Sequence, residues 1–257
     1  MSFANHYAVL VRGGMRPSAE QIRRAFRAFN HLTDADAIRL AANAEGILMR
    51  HLSSDEARAF HRALEAEGVV AAFVSESALV QLSQPTRLHR IELSPEELVV
   101  FDQIGRPQRY PWEEIALLAL GSLLHVGLAK AAFTSVGAAQ EAFTNAWSKS
   151  ASSASHRLER DFQMLLEIVT KRDRQRFQID AASFPFGHLT EHRGISPGEK
   201  IVWLTGEFIL RAPGAMLNRG AQDIRDGGQM VRGYATMQAF NDEMVWLLWN
   251  QAEKTGK

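Results

Sequence analysis

Among the 257 residues of this chain there is no cysteine. That excludes a disulfide framework, a thiol nucleophile and a Cys-ligated zinc site, and it suits a reducing compartment. There is no charge bias either, since Lys plus Arg and Asp plus Glu each number 29. Without a net field, and without a basic or acidic tail, nucleic-acid binding is not expected. Lysine itself is scarce: the first stands at Lys130, so arginine carries most of the positive charge. No apolar run reaches the ~20 residues a spanning helix needs. The longest, Ile115 to Ala129, is broken by Ser122 and His125 and stopped by Lys130, which predicts a buried strand leading into a helix. Met1 to His6 lack the basic and long apolar stretches of a signal peptide, so a cytoplasmic location is expected. Neither G-x-G-x-x-G nor a Walker phosphate loop occurs, and no cofactor is expected.

What is present has the composition of a folded protein, with 46% apolar and 23% charged residues and length for one large domain or two small ones. Tyr7 to Val11 is a β-rich run closed by Gly13 and Gly14. Three stretches with capping signals follow: Ser18 with Gln21, Thr33 with Asp36, and Ser53 with Glu56. In such a box the hydroxyl and the returning side chain satisfy orphan amides of the first helical turn. Ile22, Phe26 and Phe29 share one face of the first helix, Ile38 and Ala41 one face of the second, and Ala57, Phe60 and Leu64 one face of the third. Gly68 ends the third helix and Val69 to Val74 predicts a terminal strand, with Ile47 to Leu52 pairing beside it.

The resulting βααβαβ order, with Asp34 through Leu48 and the Ser-x-x-Glu cap, Ala-Leu-Glu and glycine between Leu52 and Gly68, resembles the C-terminal domain of the bacterial ribosomal stalk protein. The Clp-protease adaptor shares that fold. The resemblance covers about residues 6 to 76. It implies a first helix whose basic face docks a partner protein, and Ile22, Arg23, Arg24 and Arg27 occupy the comparable stretch. A solvated helix face is the plainer reading of the same arginines.

The second half reads as β-rich. Leu88 to Leu93 alternates, Ser94 to Glu97 turns, Leu98 to Phe101 returns, Gly105 to Pro107 turns again, and Trp112 to Leu120 makes a third run, together a meander. Phe162 to Thr170 and Arg176 to Ile179 add two strands around the turn Lys171 to Arg174. Between the groups lies an insertion, residues 122–156, with a helical face of Ala132, Val136, Ala139, Phe143, Ala146 and Trp147 and a tail rich in serine from Ser148 to Ser155. Ser196, Pro197 and Glu199 open a helix that runs through Ile201, Leu204, Phe208 and Ile209 to about Arg211. This pattern resembles, in topology, the pleckstrin-homology-like barrels of bacteria. The resemblance implies binding of peptides, lipids or partner proteins, with the basic loops 106–109 and 171–176 as candidate contacts or, more plainly, hairpin tips.

Two motifs invite catalytic readings. His188-x-x-Glu191-His192 matches the H-x-x-E-H pattern, in which two histidines on one helix hold zinc and the glutamate activates water. Pro185, Gly187, Gly194 and Pro197 flank it and argue against a continuous helix. Gly194-Ile-Ser196-Pro197-Gly198 matches a nucleophile elbow, but Pro197 lacks the amide hydrogen that an oxyanion hole takes from that position. Finally, Met237 to Trp249 has helical spacing and is apolar all round from Met244 to Trp249. Such a stretch requires cover, either within the chain or by a partner or second copy, and Trp246 and Trp249 are the aromatic anchors.

The expectation is therefore an α+β protein. A stalk-like domain spans residues 1–80, and a pleckstrin-homology-like β domain spans residues 86–257 with the insertion 122–156 and a C-terminal helix 237–250. It is expected to be no enzyme and to hold no metal. It acts as a cytoplasmic adaptor that binds a protein partner through Arg23, Arg24, Arg27, Trp246 and Trp249, with homodimerisation through the C-terminal helix as a variant. The alternative is a metal-dependent hydrolase centred on His188, Glu191 and His192.

Overall fold

In the computed structural model, residues 6–12, 17–29, 46–124, 162–189 and 196–255 are described. They form an α+β fold in two compact units, one of residues up to Gln81 together with Asn241 onward, the other between Leu82 and Phe240.

Helix α1 (Ala19–Ala28) begins where the capping signal stands. The Ser18 hydroxyl accepts from the Gln21 amide while the Gln21 carboxamide accepts from the Ser18 amide. Helix α2 (Ser54–Ala66) is closed in the same way by Ser53 and Glu56. Gly68 follows it at φ 72°, a left-handed conformation that costs glycine little. Their apolar faces bury Ile22, Ala25, Phe26, Ala57, Phe60 and Leu64 against β1 (Tyr7–Val11), β2 (Ile47–Leu52) and β3 (Ala71–Ser75). The Phe26 and Phe60 rings stack at 4.6 Å. The sheet order is β2-β1-β3, both neighbours antiparallel to β1. The Ile47–Leu52 segment is a strand as expected, but its partner is β1 and not the terminal strand, because β1 carries the central apolar run Ala8 to Val11 buried on both faces. The second helix expected over residues 34–45 lies outside the described residues.

The other unit packs two sheets and a helix around one core. Strands β5 (Ile91–Leu93), β6 (Glu97–Phe101) and β7 (Pro107–Pro111) form an antiparallel meander. Its third member corrects the expectation: Trp112 to Leu120 does not continue the meander, and Pro107 to Pro111, which overlaps the expected turn Gly105 to Pro107 and loop 106–109, does. The physical reason is that β7 is an edge. The bonds Asp102 N–H to Arg106 O and Trp112 N–H to Glu96 O set a register in which Gln108 and Tyr110 face β6, so Pro107, Arg109 and Pro111 face outward, where a missing N–H disrupts no ladder. Strand β8 (Ile115–Leu124) instead begins a second sheet with β9 (Phe162–Thr170) and β10 (Arg176–Asp180), close to the expected spans. β4 (Thr86–Arg87) lies parallel beside β10. Helix α3 (Pro197–Arg211) carries its capping box at Ser196 and Glu199 and buries Ile201, Leu204 and Phe208 in the common core, where Trp112 meets Phe208 edge-on at 5.5 Å.

The outer edge of β8 is closed piecewise. β11 (Met216–Leu217) pairs with Leu117 and Leu118, β12 (Gly233–Tyr234) pairs with Ser122 and Leu123, and the Asn218 side chain fills the gap between them. Its carboxamide accepts from the Leu120 N–H at 2.9 Å and donates to the Leu120 carbonyl at 3.0 Å, as a peptide unit of a neighbouring strand would. The same side chain caps α4 (Arg219–Arg225) by accepting from the Ala221 amide. Gly220 sits so close to β8 that a Cβ would fall 1.9 Å from the Leu120 oxygen, so only glycine fits.

Helix α5 (Met237–Thr255) extends beyond the expected 237–250. The expectation assigned it to the second domain, whereas its residues from Asn241 on belong to the first unit. No helix among the described residues is long and apolar enough to cross a membrane.

Candidate functional site

The five residues expected to meet a partner lie on two elements of the first unit. On α1 the apolar side faces the core, which leaves Arg24 and Arg27 exposed and Arg23 half-buried. They are not bare charges. Arg23 pairs with Glu20 at 2.8 Å, one turn back, and Arg24 reaches Glu67 at the end of α2 at 2.7 Å. The Arg23 guanidinium holds the Glu20 carboxyl below the ordinary carboxylate range. Exposed pairs of this kind are weak because water screens both charges, so an acidic partner could exchange with Glu20 or Glu67 at small cost.

The tryptophans are placed differently. The Trp246 indole N–H donates to the Val11 carbonyl at 2.8 Å, and its ring lies where a Cβ on Gly46 would approach to 2.9 Å. Trp249 is 5% exposed and carries the Arg12 guanidinium 5.6 Å from its ring centre. Arg12 also pairs with Glu253, and Arg50 with Asp242, so α5 is tied to its own unit by an indole bond and two ion pairs. Trp249 is thus packed inside its own chain and does not stand out as a free anchor.

His188, the first residue of the H-x-x-E-H segment, belongs to a short 3-10 turn, Phe186–His188, and not to an α-helix. Its Nε2 sits 3.1 Å from the Ile91 carbonyl and 3.4 Å from the Ile91 amide nitrogen. The backbone of Ile91 points off the free edge of β5, because Arg90 on one side of it bonds to β6. His188 therefore covers an edge-strand peptide, donating to the carbonyl in one tautomer and accepting from the amide in the other. His61 serves β3 in the same way, with Nε2 3.0 Å from the outward carbonyl of Ala71. Glu191 and His192 lie outside the described residues. Among the described residues no group of three or more His, Asp or Glu side chains is arranged to hold a metal. The serine of the elbow motif, Ser196, accepts from the Glu199 amide as a helix cap.

Two features escaped the sequence reading. The first is a buried polar cluster on the β9–β10 face. Glu167 is 0% exposed and is gripped by two of the three Arg176 guanidinium nitrogens and by the Gln178 carboxamide at 2.8 Å. A single Glu within Phe162 to Thr170, opposite Arg176 and Gln178, was the available signal. The second is a cleft of about 380 Å³ between the β6–β7 hairpin and the start of β10. Val100, Phe101 and Phe177 supply its apolar surface, and Ser83, Gln84 and Thr86 line one wall. Gln108 and Gln175 also line it, and both carboxamides meet the Tyr110 hydroxyl, at 2.9 and 2.5 Å. Its charged members are occupied. Arg176 is held by Glu167, while Asp102 accepts from Arg106 and from the backbone amides of Ile104 and Arg106. The Arg106 bond, first of these, holds the Asp102 carboxyl below its ordinary range.

The cleft offers apolar and uncharged polar lining, and among the described residues no nucleophile is hydrogen-bonded to a base there. No protein-family model, curated protein or solved structure matches this chain.

Proposed function

We propose that this protein is a non-catalytic cytoplasmic adaptor that acts through protein–protein contacts, with a stalk-like first domain and a pleckstrin-homology-like second. The observation that carries the reading is where the reactive side chains go. His61 and His188 cover the peptides of edge strands, Glu167 is buried against Arg176 and Gln178, and Ser196 caps a helix. Side chains used in this way are not available as nucleophile or base without loosening the fold. The partner surface is the outer face of α1, where Arg23 and Arg24 offer charge engaged in surface pairs with Glu20 and Glu67 and Arg27 stands exposed beside them. A hydrolase built on His188 would first have to withdraw that ring from Ile91.

The test is a photo-crosslinking residue placed at the exposed Ala28, with and without the triple reversal Arg23→Glu, Arg24→Glu, Arg27→Glu. A discrete crosslinked partner should form with the parent arginines and vanish in the reversal while circular dichroism stays unchanged. A crosslink indifferent to the arginines would sink the proposed surface. Stoichiometric zinc with hydrolytic turnover abolished by His188→Ala would sink the non-catalytic reading.

A further inference from the structure

The geometry points to the cleft beside Tyr110 as a binding site for a small, neutral ligand bearing a planar amide. This rests on the reading of the protein as a binder and adds a ligand class in its second unit.

Arg176 and Asp102, the ionised side chains that line the cleft, are each neutralised within the chain, the former by buried Glu167 and the latter by Arg106 and two backbone amides. Within the lining itself an ion finds no free counter-charge, so the hydration it gives up there is uncompensated, and that is costly. The remaining polar lining is uncharged.

A phenol carries one hydrogen, yet the Tyr110 oxygen lies within bonding distance of one carboxamide oxygen on each of Gln108 and Gln175. Only one can accept. The other carboxamide must be turned, so that its N–H donates to the phenol oxygen; amide O and N are assigned by such networks. Whichever of the two is turned, one glutamine then retains a spare NH2 group and the other a spare carbonyl. Tyr110 thereby holds the pair out of phase, so that the two lining glutamines keep one spare donor group and one spare acceptor between them, the complement of an amide. The phenol ring is itself held edge-on to Phe177 at 5.2 Å.

Val100, Phe101 and Phe177 contribute apolar lining, Phe177 as a core residue and Phe101 with one ring face under the Arg90 guanidinium, and the cleft, at about 380 Å³, falls at the small end of ligand sites. A peptide chain could present the same amide. However, strand addition along β7 is blocked, since two of its three outward residues are Pro107 and Pro111. The occupant is therefore a compact molecule.

Three isosteric probes separate these points on the full-length protein: benzamide, benzoate and benzamidinium, followed by the side-chain NH2 resonances of Gln108 and Gln175. A blocked alanine, N-acetyl-alanine-N-methylamide, serves as the peptide arm. Benzamide should shift both resonances and bind at least about tenfold tighter than either ion, because only the ions enter without a counter-charge. Tyr110→Phe, which keeps the ring and frees both carboxamides to rotate, should weaken benzamide by a similar factor with the backbone spectrum preserved. Equal binding of benzoate or benzamidinium, a stronger response to the blocked peptide, or silence from all four probes would each overturn the proposal. Silence here together with an arginine-dependent crosslink at α1 leaves the adaptor reading standing. Hydrolysis of benzamide would overturn the adaptor reading instead.

Discussion

Replacing Asn218 by alanine should be among the most damaging single changes in the second unit. The residue is 0% exposed, and its carboxamide stands in for a missing peptide on the edge of β8. Alanine leaves the Leu120 N–H and carbonyl without partners in a buried place and strips the Ala221 amide of its cap. It also removes the 2.8 Å bond to the Tyr234 hydroxyl. Two orphaned backbone groups at about 1–3 kcal/mol each, plus a lost helix cap at about 1 kcal/mol, give about 3–7 kcal/mol. Hydrogen exchange reads this directly. Ala119 and Gly121 point their amides toward β9, so they report the opening of the β8–β9 ladder. A loss near 4 kcal/mol corresponds to exchange faster by about a thousandfold. Asn218→Asp supplies a signed control. An ionised carboxylate still accepts from Leu120 and Ala221 but cannot donate to the Leu120 oxygen, whereas a protonated one can. Burial would raise the folded-state pKa of the new carboxyl, so its stabilising contribution should be complete below the ordinary Asp value of about 3.9 and be lost as pH rises through the folded pKa. Acceleration of less than about tenfold in Asn218→Ala would refute the peptide-substitute account, as would an Asn218→Asp protein that gains stability on raising pH.

Trp249→Ala should lower the stability of the first unit by about 3–5 kcal/mol in thermal melts while sedimentation shows an unchanged mass; a dimer falling apart with its fold intact would contradict the intramolecular packing. Glu167→Ala should cost about 3–5 kcal/mol in urea titrations, because it strands buried Arg176, whereas Glu167→Met with Arg176→Met together should recover most of the loss. His188→Ala should cost about 1–2 kcal/mol through the uncovered Ile91 peptide; an unaltered melting curve would show that the ring does not matter to the edge. At Asp102 the folded carboxyl lies below its unfolded value, held first by the Arg106 side chain and then by the Arg106 and Ile104 amides. Its grip on the β6–β7 turn is therefore present above the ordinary Asp range and lost as pH falls through the folded pKa. The Ile104 and Arg106 amide shifts should titrate together below that range, and shifts that stay flat there would count against it.

Much of this fold was legible where the deciding physics is local. Serine followed by glutamine or glutamate three residues on located the starts of α1, α2 and α3, since a cap is satisfied within one turn. The apolar density of Phe162 to Thr170 marked β9, and the apolar Met244 to Trp249 stretch called for cover that Val11, Gly46 and Arg12 help to supply. What the chain could not declare one residue at a time was decided by distant partners. β7 looks like a turn until β6 aligns its prolines outward, and β2 finds β1 rather than β3 because sheet order depends on which strand is buried on both faces. The tertiary fold alone turned Asn218 into part of a strand edge 98 residues away and His188 into the cover of Ile91. It also brought Gln108 and Gln175 to one phenol. Hydrogen-bond satisfaction is a property of the folded surroundings, so a polar side chain's role appears in sequence only when its partner is a near neighbour, and the candidate site is made of polar side chains whose partners are far away.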